Sequence, residues 1–273
     1  MSTLPYQVFA FDMDGTFLSD HKDFDRPLFQ QLLQMITSQD GHLIVASGDP
    51  LDCLRRYFPT EEEQLTIIAE NGAQIYDHGQ ENLVNSLDPK IAQRAIDYLV
   101  HQMGIQPVIS GHRQGYFPKD LGQEALDHLR FYYPKYQLVD NFDLFPDDQF
   151  FQLSFLISDD QVPAAVEELN KQFGDELVVT PSGNGSMDLT QPGINKGWAL
   201  QRLLNQWKIS PNQLVAFGDG GNDVPMLELA ARSFAMPNAG HQARSVATDQ
   251  ALADNNHDGV LKTIKALLRF GQN

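Results

Sequence analysis

Two aspartates one residue apart, Asp12 and Asp14, close the apolar run Val8-Phe9-Ala10-Phe11, and Gly15 and Thr16 follow at once. A buried strand gains nothing in packing by ending in two carboxylates. Two anions held close raise each other's pKa unless a cation sits between them. The pattern therefore reads as a magnesium-dependent site in which one carboxylate is also free to attack. Three more clusters carry chemistry. Ser47-Gly48-Asp49 follows the apolar run ending at Ala46, Asn195-Lys196-Gly197 opens a helical pattern, and Gly218-Asp219-Gly220-Gly221-Asn222-Asp223 follows the run ending at Phe217.

In open parallel sheets, ligands bind beyond the carboxyl ends of the strands, where the strand order reverses. If the first and fourth core strands are neighbours at that point, Asp12, Asp14 and Asp219 meet in one small volume. They then supply the carboxylates that magnesium takes alongside retained waters. Lys196, the Ser47 hydroxyl and the Gly48 amide complete a phosphate cradle. The chemistry follows from these parts. Asp12 attacks phosphorus and forms an acyl-phosphate, which splits one hard displacement into two easier ones. Asp14 protonates the leaving alcohol and then deprotonates the water that cleaves the intermediate. Lys196 and the metal offset charge on the phosphoryl oxygens.

Each cluster alone has a plainer reading. Asp12-x-Asp14-Gly15 suits a calcium turn, but an EF-hand needs Gly at its sixth place and Glu at its twelfth, where Phe17 and Asp23 stand. Ser47-Gly48-Asp49 is a generic turn, Asn195-Lys196-Gly197 a helix start, and the Gly218–Asp223 run a strand-to-helix turn. Their joint occurrence selects the chemical reading. The eight histidines contain no pair at helical zinc spacing, and His21, Asp23, His257 and Asp258 read as solvated loop residues.

The elements that must position these residues alternate. Val8–Phe11, Leu43–Ala46 and Leu65–Ala69 read as buried strands. A helix after Asp25 repeats Leu28, Leu32 and Ile36, and a short one covers about Pro50–Tyr57. Asn71-Gly72 reads as a hairpin turn into Ala73–Tyr76. From about residue 83 the texture changes to an α+β unit: a helix from Pro89 toward His101, short strands, an aromatic-rich strand at Phe150–Ile157, a helix over Gln161–Phe173, and strands at Leu177–Val179 and Ser186–Thr190. Tyr116, Phe117, Phe131, Tyr132, Tyr133 and Phe151 read mostly as its core, and Ser182-Gly183-Asn184-Gly185 as a turn or a loop that reaches substrate. From Gln191 the first texture returns, with a helix at Lys196–Trp207, strands at Leu214–Phe217 and Ser233–Met236, and a closing helix at Val260–Phe270. Continuous apolar runs imply a parallel sheet covered on both faces. The expected fold is α/β: a Rossmann-like core of residues 1–82 and 191–273, interrupted by an inserted α+β cap domain at 83–190.

Composition narrows the partners. Nineteen Lys and Arg face 36 Asp and Glu among 273 residues, a net charge of −17, with no basic stripe to track a nucleic-acid backbone. No segment approaches the roughly 18 to 20 apolar residues of a membrane helix, and no secretory signal is expected at the N-terminus. The single cysteine, Cys53, fits a reducing cytoplasm and is expected to be packed rather than reactive. No protein partner is evident.

The four clusters, in this order, resemble the motifs of the haloacid dehalogenase superfamily of phosphohydrolases. Asp12-Met13-Asp14-Gly15-Thr16 matches the first, Ser47 the second, Lys196 the third, and Gly218–Asp223 the fourth. The position and size of the insert are similar to the large α/β cap of the Cof-type sugar phosphatase branch, as are Asn71-Gly72-Ala73, Met236-Pro237-Asn238-Ala239 and Asp258-Gly259-Val260. The resemblance implies Asp12 as nucleophile, Asp14 as acid/base, and Mg2+ held by Asp12, Asp219 and the main-chain carbonyl of Asp14. It also implies that Asp223 orients a metal water or Lys196, and that Asn222 contacts phosphate with Ser47, Gly48 and Lys196. One departure stands out: many relatives carry Arg two places after the motif-two hydroxyl, and this chain has Asp49. The implied activity is hydrolysis of small phosphorylated metabolites, sugar phosphates above all, with a cap that closes over the site. A phosphosugar mutase and a non-catalytic phosphosugar sensor are the alternatives.

Overall fold

The computed structural model describes residues 4–140, 142, 147–183 and 185–270. Asn184, in the run expected as a loop, lies outside them. The chain divides into two compact units, Met1–Val84 with Asn195–Asn273, and Asn85–Ile194.

The first unit runs β1 (Val8–Phe11), α1 (Arg26–Thr37), β2 (His42–Ala46), α2 (Leu51–Arg55), β3 (Thr66–Ala69), β4 (Gln74–Asp77) and β5 (Gln80–Val84). The inserted unit follows with α3 (Pro89–His101), β6 (Val108–Gly111), β7 (Gly115–Pro118), α4 (Gln123–Tyr132), β8 (Tyr136–Val139), β9 (Phe150–Leu156), α5 (Val162–Phe173), β10 (Val178–Gly183) and β11 (Ser186–Thr190). The first unit resumes with α6 (Lys196–Trp207), β12 (Leu214–Gly218), α7 (Val224–Leu229), β13 (Arg232–Ala235), α8 (His241–Val246), β14 (Asp249–Gln250) and α9 (Gly259–Phe270).

Its sheet has the order β14-β13-β12-β1-β2-β3-β4-β5. The strands from β14 to β3 are parallel. Parallel neighbours need crossovers, and the intervening helices supply them. The chain winds from β1 to β3 on one side and, after the insert, from β12 to β14 on the other. The reversal falls between β1 and β12, whose residues pair Val8 to Leu214 through Phe11 to Phe217. All four β1 residues are fully buried, which accounts for their unbroken apolar run. The sheet is not parallel throughout: β4 and β5 turn back as antiparallel edge strands. That edge carries Gln80, Glu81 and Asn82, exposed and polar, which blunts further pairing.

The loop after β1 is pinned by an aromatic cluster. Phe17 stacks on Phe11 at 4.3 Å between centroids, lies 4.6 Å from Phe24 and 5.7 Å from Phe29, and Phe29 lies 5.2 Å from Phe58. Helix α1 opens as its sequence dictates, with Asp25 accepting from the Leu28 amide at 3.0 Å and Pro27 in the first turn.

The inserted unit has its own sheet, β10-β11-β9-β6-β7-β8, antiparallel except for β7 with β8. Its core gathers Ile96, Leu99, Ile109, Leu153, Leu169 and Met187. Of the aromatics expected in that core, Tyr116, Phe117 and Phe151 are buried, whereas Phe131 is exposed and Tyr132 and Tyr133 only partly covered. The latter three lie at the end of α4, whose single buried residue is Leu126, and Tyr133 meets the buried Phe117 ring at 5.3 Å.

Phe29→Ala removes a fully enclosed ring and should cost about 3–5 kcal/mol of stability. Urea unfolding followed by circular dichroism checks this; a loss below about 1 kcal/mol would mean that the cluster repacks without cost.

Candidate active site

Each functional side chain is placed by the end of an element. Asp12 is the first residue past β1, and its amide donates to the Phe217 carbonyl at 3.1 Å, so the β1–β12 ladder extends to the site itself. Phe17 donates its amide to the Asp12 and Met13 carbonyls, which folds Asp12–Thr16 into a tight turn. Gly15 sits at φ +75°, and a Cβ there would lie 2.6 Å from Asp219 Oδ2. No side chain is tolerated where the two loops meet. The Asn238 side chain closes the turn, its Nδ2 donating to the Gly15 carbonyl at 2.6 Å.

Lys196 is the first residue of α6, whose start is fixed by Asn195 accepting from the Trp198 amide at 2.9 Å. Gly72, at φ +106°, lets the β3–β4 turn approach: a Cβ there would lie 2.5 Å from the Asn195 carbonyl oxygen. From this anchor the Lys196 ammonium donates to Asp12 Oδ1 at 2.6 Å and to Asp223 Oδ1 at 2.7 Å. Lys196 and Asp223 are wholly buried and Asp12 is 6% exposed. The other Asp223 oxygen accepts from the Asp219 and Gly220 amides, both at 2.9 Å. Thr16 donates to Asp219 Oδ1 at 2.7 Å.

Asp12, Asp219 and Asp223 each bring a carboxylate oxygen within 4.8 Å of the others. Three carboxylates against one ammonium leave two uncompensated negative charges, the charge of one divalent cation. Burial, aided by Asp223, pushes Asp12 well above the usual carboxylate range despite Lys196. Asp219 is also raised, by burial first and Asp223 next, while the Thr16 hydroxyl works the other way. Burial would lower Lys196, but Asp12 and Asp223 together hold its pKa above the ordinary lysine value. The shared ammonium therefore stays charged, and the surplus charge falls on Asp12 and Asp219. All the donors are hard oxygens, the set that suits magnesium. Both Asp223 oxygens are already engaged, which leaves Asp12 and Asp219 as the carboxylates able to take a metal.

The Asp14 carboxylate lies outside that trio. Its Oδ1 pairs with the Lys22 ammonium at 2.6 Å, both side chains part-exposed. Lys22 takes a left-handed backbone, φ 59°, in the turn where its amide donates to the Ser19 carbonyl. Sequence reasoning missed Lys22, because a lysine inside Asp20-His21-Lys22-Asp23 carries no periodic or motif signal.

The motif-two and motif-four residues form a second set. The Ser47 amide donates to Ile68 and its carbonyl accepts from the Asn71 amide at 3.0 Å. Gly48 passes so close to Asn71 that a Cβ would lie 3.0 Å from Asn71 Nδ2. Asn71 Oδ1 in turn accepts from Asn222 Nδ2 at 3.1 Å. Asn71, read from sequence only as a turn residue and a family likeness, is the link that joins Ser47 and Gly48 to Asn222.

Comparison with known proteins shows the family. The family model for haloacid dehalogenase-like hydrolase matches residues 9–264. The chain is 34% identical over 263 residues to the 5-amino-6-(5-phospho-D-ribitylamino)uracil phosphatase YbjI of Escherichia coli (strain K12), covering 96% of both chains. It is 26% identical over 281 residues to the 5-amino-6-(5-phospho-D-ribitylamino)uracil phosphatase YitU of Bacillus subtilis (strain 168), covering 97% of this chain and 98% of that one. Among solved structures, SMU.1108c from Streptococcus mutans UA159 superposes with a TM-score of 0.90 at 35% identity, covering 97% of this chain and 99% of that one. TM0651 from Thermotoga maritima shares the fold, with a TM-score of 0.82 at 24% identity over 96% of this chain and 97% of that one.

The charge surplus has a measurable sign. A carboxyl whose folded pKa is raised binds more protons in the folded than in the unfolded state. Metal-free stability therefore falls as pH rises from about 4 through the raised value, and stays low above it. Asp12→Asn mimics the neutral form, so metal-free D12N should melt above the wild type at pH 8, with the gap shrinking toward pH 4. Differential scanning calorimetry in chelator reads this; a variant less stable at every pH would contradict the surplus.

Proposed function

The chain belongs to the haloacid dehalogenase-like hydrolases, in their Cof-type branch, and from that membership we propose that it is a magnesium-dependent phosphatase of sugar and polyol monophosphates. The observation that carries the reading is the buried Lys196 ammonium bonded to both Asp12 and Asp223, with Asp219 alongside. A purely structural ion pair needs one carboxylate, and burying more costs stability. The ribityl phosphate in the names of two relatives supports a polyol ester as the substrate class. No helix among the described residues is long and apolar enough to cross a membrane. We place the enzyme in the cytoplasm and assign catalysis to residues 1–82 with 191–273, and substrate choice to the insert at 83–190.

In this reading Asp12, Asp219 and the Asp14 main-chain carbonyl hold the metal. Bound there, magnesium would offset the two surplus charges, so that the site no longer repels a phosphate dianion, and would keep Asp12 ionised. Lys196 holds one Asp12 oxygen and leaves the other to attack phosphorus. As that bond forms, the bond from phosphorus to the leaving oxygen breaks, and Asp14, acting as general acid, delivers a proton to that oxygen. Asp14, now a carboxylate, takes a proton from water. The water oxygen attacks phosphorus, the bond to Asp12 breaks, and inorganic phosphate leaves. Ser47, the Gly48 amide and Asn222 steady the phosphoryl oxygens, held in register by Asn71. Asp223 fixes the ammonium in place.

Release of inorganic phosphate from a panel of sugar and polyol phosphates tests this. Turnover should require magnesium and stop with chelator, and D12N should lower kcat by at least about a thousandfold. Chelator-insensitive turnover would remove the metal, and a fully active D12N would remove the nucleophile.

A further inference from the structure

Asp49 adjoins the phosphate cradle and brings it the opposite charge from the one a phosphate calls for. Its backbone is fixed on both sides: the amide donates to Ser47 Oγ at 3.1 Å, and the carbonyl accepts from the Glu70 amide at 3.1 Å. The side chain is partly buried, yet among the described residues no donor is bonded to its carboxyl oxygens. The charges that act on it belong to the site and its rim: Asp14 opposes its ionisation, and Lys22, Lys196 and Arg56 favour it. Burial and then Asp14 raise its pKa to about 7, and the same carboxyl helps to push the buried Cys53 thiol up to about 11, after burial itself. The carboxyl is only partly covered, so a bound molecule can reach it. Its placement is explained if a bound molecule supplies the partner.

We infer that Asp49 is a specificity-determining residue whose carboxyl receives a hydroxyl of the leaving group near the ester, so that the preferred substrate is a neutral polyhydroxy monophosphate. The inference rests on the phosphatase reading above and narrows it. A hydroxyl suits the position because it donates and accepts, as a carboxyl that is part-protonated at neutral pH also does. A second phosphate or carboxylate on the substrate would instead meet Asp49 and Asp14 together and be repelled. The three cations that act on Asp49 leave little call for a cationic substrate group there.

The test compares kcat/KM for D-ribitol 5-phosphate and n-pentyl phosphate, equal in carbon number and different in hydroxyls, by phosphate release with magnesium. Wild-type enzyme should favour the ribitol ester at least about tenfold. In D49A that ratio should fall about tenfold or more, and D49N, which keeps both an acceptor and a donor, should hold it within about threefold of the wild type. Taking the ratio within one preparation cancels any loss of folded protein. A D49A ratio equal to that of the wild type, or a wild-type ratio of one, overturns the inference while leaving the phosphatase reading standing. Absence of hydrolysis of both esters by the wild type overturns that reading, and the inference falls with it.

Discussion

One ammonium shared by two buried carboxylates is the interaction on which the rest depends. Lys196 has no exposed surface and gives Asp12 and Asp223 bonds of 2.6 and 2.7 Å. Burying an ammonium costs several kcal/mol unless its partners are well placed. Asp223 meets that demand by spending one oxygen on Lys196 and the other on two main-chain amides. With Asp223 satisfied, Asp12 and Asp219 carry the excess. A cluster left two negative charges out of balance is a poor device for stability and a good one for capturing a divalent cation. The pair of Asp14 with Lys22 is neutral by itself and adds nothing to that surplus.

The fold serves this cluster through strand ends and close approaches. The β1–β12 pairing brings residues 12 and 219 to the same end of the sheet, the first directly past the last rung, Phe11 with Phe217, and the second just past β12. The aromatic cluster around Phe17 turns the loop after β1 into a fixed object. Gly15 marks where the chain passes the Asp219 carboxylate too closely for a Cβ, and Gly72 where it passes the backbone of Asn195, which caps the lysine helix. The site is thus precise because it is built on rigid termini rather than on long loops.

Much of this was legible in the chain. Asp12, Asp14, Ser47, Lys196 and Asp219 each sit in a short contiguous motif that ends an apolar run or opens a helix, and such signals survive without tertiary information. The meeting of the first and fourth core strands entered the sequence reading as a condition, and the β1–β12 pairing fulfils it. What escaped was made by contacts between remote segments. The bond from Asn71 to Asn222 joins residues 151 apart, and neither residue announces the other. Lys22 hid in a polar turn. The antiparallel turn from β3 into β4 was legible as the hairpin at Asn71-Gly72, whereas β5, polar and exposed over Gln80, Glu81 and Asn82, had no apolar run to announce it. In the insert, aromatic residues suggested core at Phe131 and Tyr132, where the structure leaves the first exposed and the second half-buried.

The central claim is that Asp12, Asp219 and Asp223 against Lys196 leave room for one divalent charge. Isothermal titration calorimetry of magnesium into the chelator-stripped wild type and Asp219→Asn tests it most directly. The account predicts one ion per wild-type chain and an affinity at least about tenfold weaker in the variant. Equal affinity in the two proteins, or no binding to the wild type, would contradict it.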